Sequence, residues 1–423
     1  MGAIMSERRF RVLAVVSHPI QYAVPVFRLL AQDPQLDFHV AYCTLRGAET
    51  AHDPEFKRNV QWDVPLLDGY KWTHVPNQGS GGESFFGLYN PGLWKLLRQG
   101  KFDAVLCQVS YQSCSFWISY LGAQGRGTPF MPVTDASSLE PRDGRRWKTW
   151  VKKLAWPLLF RMFSRVLTAS SAGVEMMRSL GVREGRISMT LNTVDNDWWR
   201  AEAARVNRTA VRASWGLDLE EKIVLFCGKL QPWKRPLDLL RAFAAAGIPR
   251  STLVFAGEGP LRARIEAEVS ELGLGKRVQM LGFVNQSQLP SVYRASDVMV
   301  IPSEFDAFGL VVNEAMLCGC VVIASDKVGA VRDLIFPAQT GYVYRCEDTG
   351  ALATTLREAF ADPTKLAEIG EAASHRIAEW SPRASALALT EAIVRGVGCK
   401  QASRQGNGGA VDHAIEADRY MQS

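Results

Sequence analysis

Short apolar runs of strand length alternate with segments of helical period, and the alternation occurs twice along the chain. In the first half the strand-like runs are residues 10–16, 36–43, 102–107, 129–133 and 165–169. A helical pattern through Val24, Phe27, Leu29 and Leu30 follows the first of them. The second half restarts at 222–227 and continues with strand-like runs at 251–256, 278–281, 298–301 and 321–324. Helical segments at 236–246, 261–272, 288–295 and 313–317 separate these. Strands joined through a helix pair in parallel, because the chain must cross back before it can run in the same direction again. The pattern therefore predicts an α/β fold with two doubly wound sheets. Residues 192–215 are polar and tryptophan-containing and read as a linker, and residues 401–409 (QASRQGNGG) read as a flexible tail.

Composition narrows the class. With 47% hydrophobic and 22% charged residues the chain is neither disordered nor a disulfide scaffold. No stretch approaches the ~18 uncharged apolar residues that a bilayer-spanning helix needs. Arg8 and Arg9 lead directly into the first strand rather than into a signal sequence, so a cytoplasmic location is expected. The eight cysteines form no CxxC pair and read as free, buried thiols. The formal net charge of +6 lies wholly between residues 140 and 165, where eight bases face two acids. One patch of this kind does not make nucleic acid an expected partner.

Ligands of doubly wound sheets bind beyond the carboxyl ends of the strands. The first such turn reads Ser17-His18-Pro19-Ile20-Gln21 and contains no GxGxxG, which argues against a nicotinamide dehydrogenase. No GxxxxGK[ST] occurs, which excludes a P-loop NTPase. Residues 300–320 read VIPSEFDAFGLVVNEAMLCGC: a strand, a loop and the start of a helix. Amides of Phe308, Gly309 and Leu310 at that helix start suit an anion. Asp306 and Glu314, eight positions apart, can accept hydrogen bonds from the vicinal hydroxyls of a sugar or ribose. The run 222–227 ends at Gly228-Lys229-Leu230-Gln231-Pro232-Trp233-Lys234. Lys229 and Lys234 are either solvated loop lysines or a pair that neutralises a diphosphate.

Here the chain resembles the retaining GT-B glycosyltransferases of family 4, glycosyl transferases group 1. Pro302-Ser303, Asp306, Phe308-Gly309-Leu310 and Glu314 match their PSxxE-x-FGL-xxx-E motif, with Asp in place of the first Glu. The segment at 228–234 is similar to their GRLxxxK, with Lys229 in place of arginine. FAGEGP at 255–260, LGFV at 281–284 and ASDVMVIPS at 295–303 extend the likeness.

The resemblance implies a GT-B fold of two Rossmann-like domains facing a cleft. Residues 1–200 would bind the acceptor and 201–380 a nucleotide-sugar, with 381–397 a helix returning to the first domain and 398–423 a flexible tail. It assigns Glu314 to the ribose, and Asp306 with the loop amides to the phosphates and transferred sugar. Gly228, Lys229 and Lys234 go to the diphosphate, and Gly282, Phe283 and Val284 to the base. No cofactor is implied beyond the donor itself, and no metal. Asp195-Asn196-Asp197 mimics a metal-binding DxD, but that motif belongs to a different glycosyltransferase fold. Asp135 stands where relatives carry a histidine near the donor sugar, and is either a sugar contact or a turn residue. His18 is either an acceptor-site residue or part of the His18-Pro19 turn. The implied reaction transfers a sugar, with retention, to a lipid-linked, saccharide or small-molecule acceptor. An epimerase of the same fold and a non-catalytic nucleotide-sugar-binding protein are the alternatives.

The basic patch has its own pattern. Trp147, Trp150, Val151, Leu154, Leu158, Met162 and Phe163 recur at mostly helical steps among Arg145, Arg146, Lys148, Lys152 and Lys153. This is an amphipathic helix with Pro157 inside it, kinked or restarted there. Its apolar stripe either packs on its own domain or meets an anionic membrane surface, which would make the protein peripheral to the membrane.

Overall fold

The computed structural model describes residues 9–53, 58–82, 84–139 and 146–404. The first domain contains strands β1 (Phe10–Val16), β2 (Leu36–Tyr42), β3 (Ala51–Asp53), β4 (Arg58–Val60) and β5 (Lys71–His74). It continues with β6 (Ala104–Gln108), β7 (Phe130–Thr134), β8 (Val166–Thr168) and β9 (Ile187–Met189). Seven of these form one sheet in the order β5-β2-β1-β6-β7-β8-β9, every pairing parallel. β3 and β4 form a separate antiparallel hairpin.

The second domain contains β10 (Lys222–Cys227), β11 (Ser251–Ala256), β12 (Val278–Gly282), β13 (Val298–Ile301), β14 (Val321–Ser325) and β15 (Tyr342–Tyr344). These form a parallel sheet in the order β12-β11-β10-β13-β14-β15. Helices cover both faces of each sheet, so the central strands are buried on both sides and read as unbroken apolar runs. Strand order reverses between β1 and β6 in one sheet and between β10 and β13 in the other. Each reversal opens a crevice at the carboxyl ends of the strands, and the loops at 17–22, 228–234 and 302–310 occupy these crevices.

The segment read as a linker is instead built into the second domain. Residues 192–215 contain helices Asn196–Arg205 and Arg208–Ser214. Trp199 is buried in the core beside Tyr293. Arg212 is buried too, and its guanidinium donates to the carbonyls of Ala295, Leu219 and Glu221 at 2.9, 2.8 and 2.8 Å and to Asp297 at 2.9 Å. Polar composition reported only the solvent side of these helices.

Helix Pro382–Arg404 returns to the first domain, where Ala386, Leu389, Ala392, Ile393 and Val397 join the core with Val26, Phe27 and Leu30. Residues 398–404, read as the start of the tail, are therefore helical, and 405–423 lie outside the described residues. Among the described residues seven cysteines are free thiols; Cys43, Cys107, Cys318 and Cys320 are buried, while Cys114, Cys227 and Cys346 are partly so.

The basic patch forms one helix, Arg146–Arg161, that runs through Pro157 without restarting. Arg145 and the side chains of Arg146, Trp147 and Lys148 lie outside the described residues. The face packed on the domain consists of Trp156 and Phe160, with Phe163 just beyond. Trp150, Val151, Leu154, Leu158 and Met162 are exposed, so the described part of the stripe picked out from the sequence, Phe163 apart, faces away from its own domain. Lys153 is exposed, but Lys152 folds back, 5.1 Å above the Trp156 ring. No helix among the described residues is long and apolar enough to cross a membrane.

Candidate active site

Three strand ends of the second domain meet through glycine. The Gly228 amide donates to the Ala256 carbonyl at 2.9 Å, and the Gly257 amide to the Gly282 carbonyl at 2.7 Å. A Cβ on Gly257 would lie 1.8 Å from the Gly228 oxygen, so only glycine lets these loops approach. The bared backbone forms one wall of a cavity lined also by Phe283, Val284, Leu310 and Glu314. Gln21, Tyr22 and Trp62 close it from the first domain, so the cavity lies between the sheets.

The loop after β13 is pinned by its neighbours. The Gly329 amide donates to the Asp306 carbonyl at 3.1 Å, and the Ala330 amide to the Phe308 carbonyl at 2.7 Å. Gly309 has φ +91°, and a Cβ there would come within 2.9 Å of Val328. The Phe308 ring stacks on Trp380 at 5.8 Å and belongs to the core, so only its backbone is available to a ligand.

Helix Val311–Leu317 then carries Glu314 into the cavity. Tyr293 donates its hydroxyl to Glu314 Oε2 at 2.7 Å. Burial pushes the Glu314 pKa up to about 7, against the opposing pull of this hydrogen bond. Burial and then the Glu314 charge push the neighbouring Cys227 thiol up to about 12, so it stays protonated.

The flanking charges are paired. Lys234 is bonded to Asp306, both of them partly buried. Lys229 reaches across the cleft to Asp53 on the β3–β4 hairpin, 3.4 Å away. Arg235, at φ +50°, ties the end of its loop to Asp238, Glu304 and Glu347 at 2.6, 3.0 and 2.9 Å. On the opposite side, His18 bonds to Ser17 Oγ at 2.9 Å. Burial, then the Arg46 charge, lower the His18 pKa to about 4, so it is neutral at physiological pH. Asp135 follows β7 and is exposed. Together with burial, which acts more strongly, its charge raises the pKa of Tyr22 to about 12.

The acids of the apparent DxD diverge. Asp195 caps its helix by accepting from the Trp198 amide at 3.1 Å, Asn196 donates to the Ile377 carbonyl at 3.0 Å, and Asp197 is exposed beside Arg383. Among the described residues no group of three His, Cys, Asp or Glu side chains could hold a metal ion.

Comparison with known proteins fits this geometry. The family model described as glycosyl transferases group 1 matches residues 207–376, and that of a glycosyl transferase 4-like domain matches 26–193. Residues 207–376 are thus a glycosyl transferases group 1 domain. One relative is the D-inositol 3-phosphate glycosyltransferase 2 of Catenulispora acidiphila, 33% identical over 53% of this chain and 54% of its own length. The D-inositol 3-phosphate glycosyltransferase of Streptomyces avermitilis is 29% identical over 70% of this chain and 66% of its own. The chain spans about half the length, or less, of most of the curated relatives it matches.

Among solved structures, Anabaena Alr3699/HepE in complex with UDP and glucose superposes with a TM-score of 0.70 at 18% identity, over 91% of this chain and 100% of that one. The sucrose-phosphate synthase of Thermosynechococcus elongatus gives 0.65 at 21% identity, over 90% and 98%. The fold is GT-B.

In this glycosyltransferase-family chain the cavity brings together Glu314, Leu310, Gly228, Phe283 and Val284 from the sequence-based set, with Gly282 bonded behind them. Lys229, Lys234 and Asp306 sit on the adjoining loops as ion pairs. Asp135 acts on Tyr22 from the first domain, and neither it nor His18 lines the cavity that holds Glu314. Sequence reasoning missed Tyr293, Trp62 and Asp53. Trp62 packs on Phe283 at 6.3 Å between centroids, and Asp63 beside it accepts from the Ser287 amide at 3.0 Å. A polar hairpin and a tyrosine within a short helix carry no local signal; only the closed cleft reveals their partners.

Proposed function

We propose that this protein is a retaining glycosyltransferase that moves a sugar from a nucleotide-sugar donor to a small hydroxyl-bearing acceptor. The observation that carries the proposal is the position of Glu314. It faces a cavity between two doubly wound domains, with the Lys229 and Lys234 loop beside it. The ribose hydroxyls donate to the Glu314 carboxylate, and the base lies along Phe283 and Val284. The diphosphate draws Lys229 from Asp53 and Lys234 from Asp306, releasing Asp306 to accept from the transferred sugar.

Charge that develops on the departing diphosphate is then stabilised by two lysines and by the amides of Phe308, Gly309 and Leu310. The acceptor oxygen bonds to the anomeric carbon on the face the diphosphate leaves, and its proton passes to a donor phosphate oxygen. No divalent ion is required where lysines supply the positive charge. The neutral imidazole of His18 and the carboxylate of Asp135 orient acceptor and sugar hydroxyls. Relatives named for D-inositol 3-phosphate favour a phosphorylated polyol as acceptor, and the complexes of Alr3699/HepE with UDP favour a uridine donor.

The test is incubation with UDP-, GDP-, ADP- and TDP-sugars and a panel of polyol-phosphate, saccharide and lipid-linked acceptors, with the product's anomeric configuration read by NMR. Inversion would refute retention. Epimerised donor without transfer would identify an epimerase, and binding without any turnover a non-catalytic protein. We also read the exposed face of helix Arg146–Arg161 as a surface that meets an anionic membrane peripherally, because apolar and basic side chains share it.

A further inference from the structure

The outward face of helix Arg146–Arg161 has a direction. Trp150, Leu154 and Leu158 follow one another at four-residue steps and are 69%, 60% and 64% exposed. At about 100° per residue each step advances the face only about 40°. Arg161, eleven residues beyond Trp150, comes round to within about 20° of it, so the apolar stripe ends in an arginine.

Arg161 also lines a surface cavity with Phe160, Gly181, Val182, Arg183 and Arg186. Arg186 is held there by bonds to the carbonyls of Arg161, Phe160 and Ser164 at 3.2, 3.4 and 3.4 Å. Glu184, the acid of the same turn, is engaged by Arg178 through two bonds of 2.7 and 2.5 Å. No carboxylate is among the residues lining the cavity. Burial lowers the pKa of Arg186, and the nearby Arg183 charge adds to it. Arg161 and Arg183 can turn paired N–H groups to a tetrahedral oxyanion in this hollow, and Arg186, its Nε and Nη2 held by carbonyls, adds a fixed positive charge.

We propose that the cavity of Arg161, Arg183 and Arg186 holds the phosphate of an anionic phospholipid headgroup while Trp150, Leu154 and Leu158 enter the membrane interface. The proposal rests on the membrane reading above and adds to it a discrete phosphate site. Inorganic phosphate offers the same chemistry, but the apolar stripe leading into the cavity commits it to a lipid. Bound in this way, the protein docks on the membrane through the outward face of this one helix.

The test is co-sedimentation of the full chain with phosphatidylcholine vesicles, with and without phosphatidylglycerol. Wild type should bind only the anionic vesicles, and inorganic phosphate at physiological salt should not displace it. Arg161→Gln combined with Arg183→Gln should weaken binding about fivefold for each arginine, about 25-fold together, with the melting temperature unchanged. Trp150→Ser with Leu154→Ser should also lose binding, and Arg183→Lys should retain most of it.

If wild type binds and the arginine pair changes nothing, the phosphate site is wrong and the membrane reading stands. If wild type ignores anionic vesicles even at low salt, both fall. Release by inorganic phosphate would make this a free-phosphate site. Self-association that Leu154→Asp abolishes, without vesicle binding, would make the face a contact between copies. Either result overturns the proposal.

Discussion

Tyr293 donates its phenolic hydrogen to Glu314 at 2.7 Å, within a cavity that raises the carboxyl pKa to about 7. The two effects oppose each other: burial favours the neutral acid, and the tyrosine favours the carboxylate. In the unfolded chain Glu314 titrates at the ordinary 4.5. Between 4.5 and about 7 the folded protein therefore keeps a proton that the unfolded chain has released. Stability is greatest at the acid end of that window, falls as pH rises through it, and is flat above. Glu314→Gln should abolish this component of the slope. Urea unfolding of both proteins across the window checks it; parallel stability profiles would contradict the assignment.

On the proposed function the same carboxyl governs donor binding. Glu314→Gln should keep the fold and weaken nucleotide-sugar affinity about ten- to hundredfold, the worth of a charged hydrogen bond. Wild-type affinity should decline as pH drops below about 7, because the protonated acid accepts poorly. Tyr293→Phe removes the group that favours ionisation and should move that decline to higher pH. Calorimetric titration of UDP-sugar and its congeners reads all three effects, and unchanged affinity in Glu314→Gln would remove Glu314 from the site.

Lys234 is held by Asp306 and Lys229 approaches Asp53, so each lysine is positioned before any donor arrives. Lys229→Ala and Lys234→Ala should each lower kcat by about a hundredfold through lost stabilisation of the leaving diphosphate. Thermal stability should change little, because both pairs lie at the partly exposed rim. Steady-state kinetics with a saturating donor distinguishes this from a pure binding defect, which would raise KM alone.

Turnover should persist in excess EDTA. On the proposed reading, two lysines and the backbone amides of the loop take the place of a divalent ion beside the diphosphate. Activity lost on chelation and restored by magnesium or manganese would overturn this account of the phosphate site.

Arg212→Met should destabilise the second domain by about 3 kcal/mol, because the buried guanidinium satisfies three carbonyls and shares Asp297 with Arg208. Urea unfolding gives the value. A change below about 0.5 kcal/mol, the ordinary size for a surface position, would mean that helix Arg208–Ser214 is not anchored in this way.

The strand runs at 222–227, 298–301 and 321–324 were legible because parallel strands covered on both faces must be apolar throughout. Leu310 and Glu314 were legible because loop, glycine and helix follow one another within a few residues of β13. Helix Asn196–Arg205 was not, since its buried side amounts to little more than Trp199 and Ala203 and its polar side dominates the composition. The stripe at Trp150, Leu154 and Leu158 was visible as helical periodicity, but periodicity does not say which face is covered. Trp156 and Phe160 took the core side instead.

Local apolar patterning was enough to place the two α/β halves, their strands and the loops that carry acids and lysines. Hydrogen bonding and burial within a strand or helix depend on near neighbours, and these leave a periodic trace. Which of those groups meet is set by the folded chain in three dimensions. Glu314 finds Tyr293 across 21 positions, Lys234 finds Asp306 across 72, and Lys229 finds Asp53 across 176. Such pairings follow from strand order and from the closure of one domain on the other, and no local pattern encodes either.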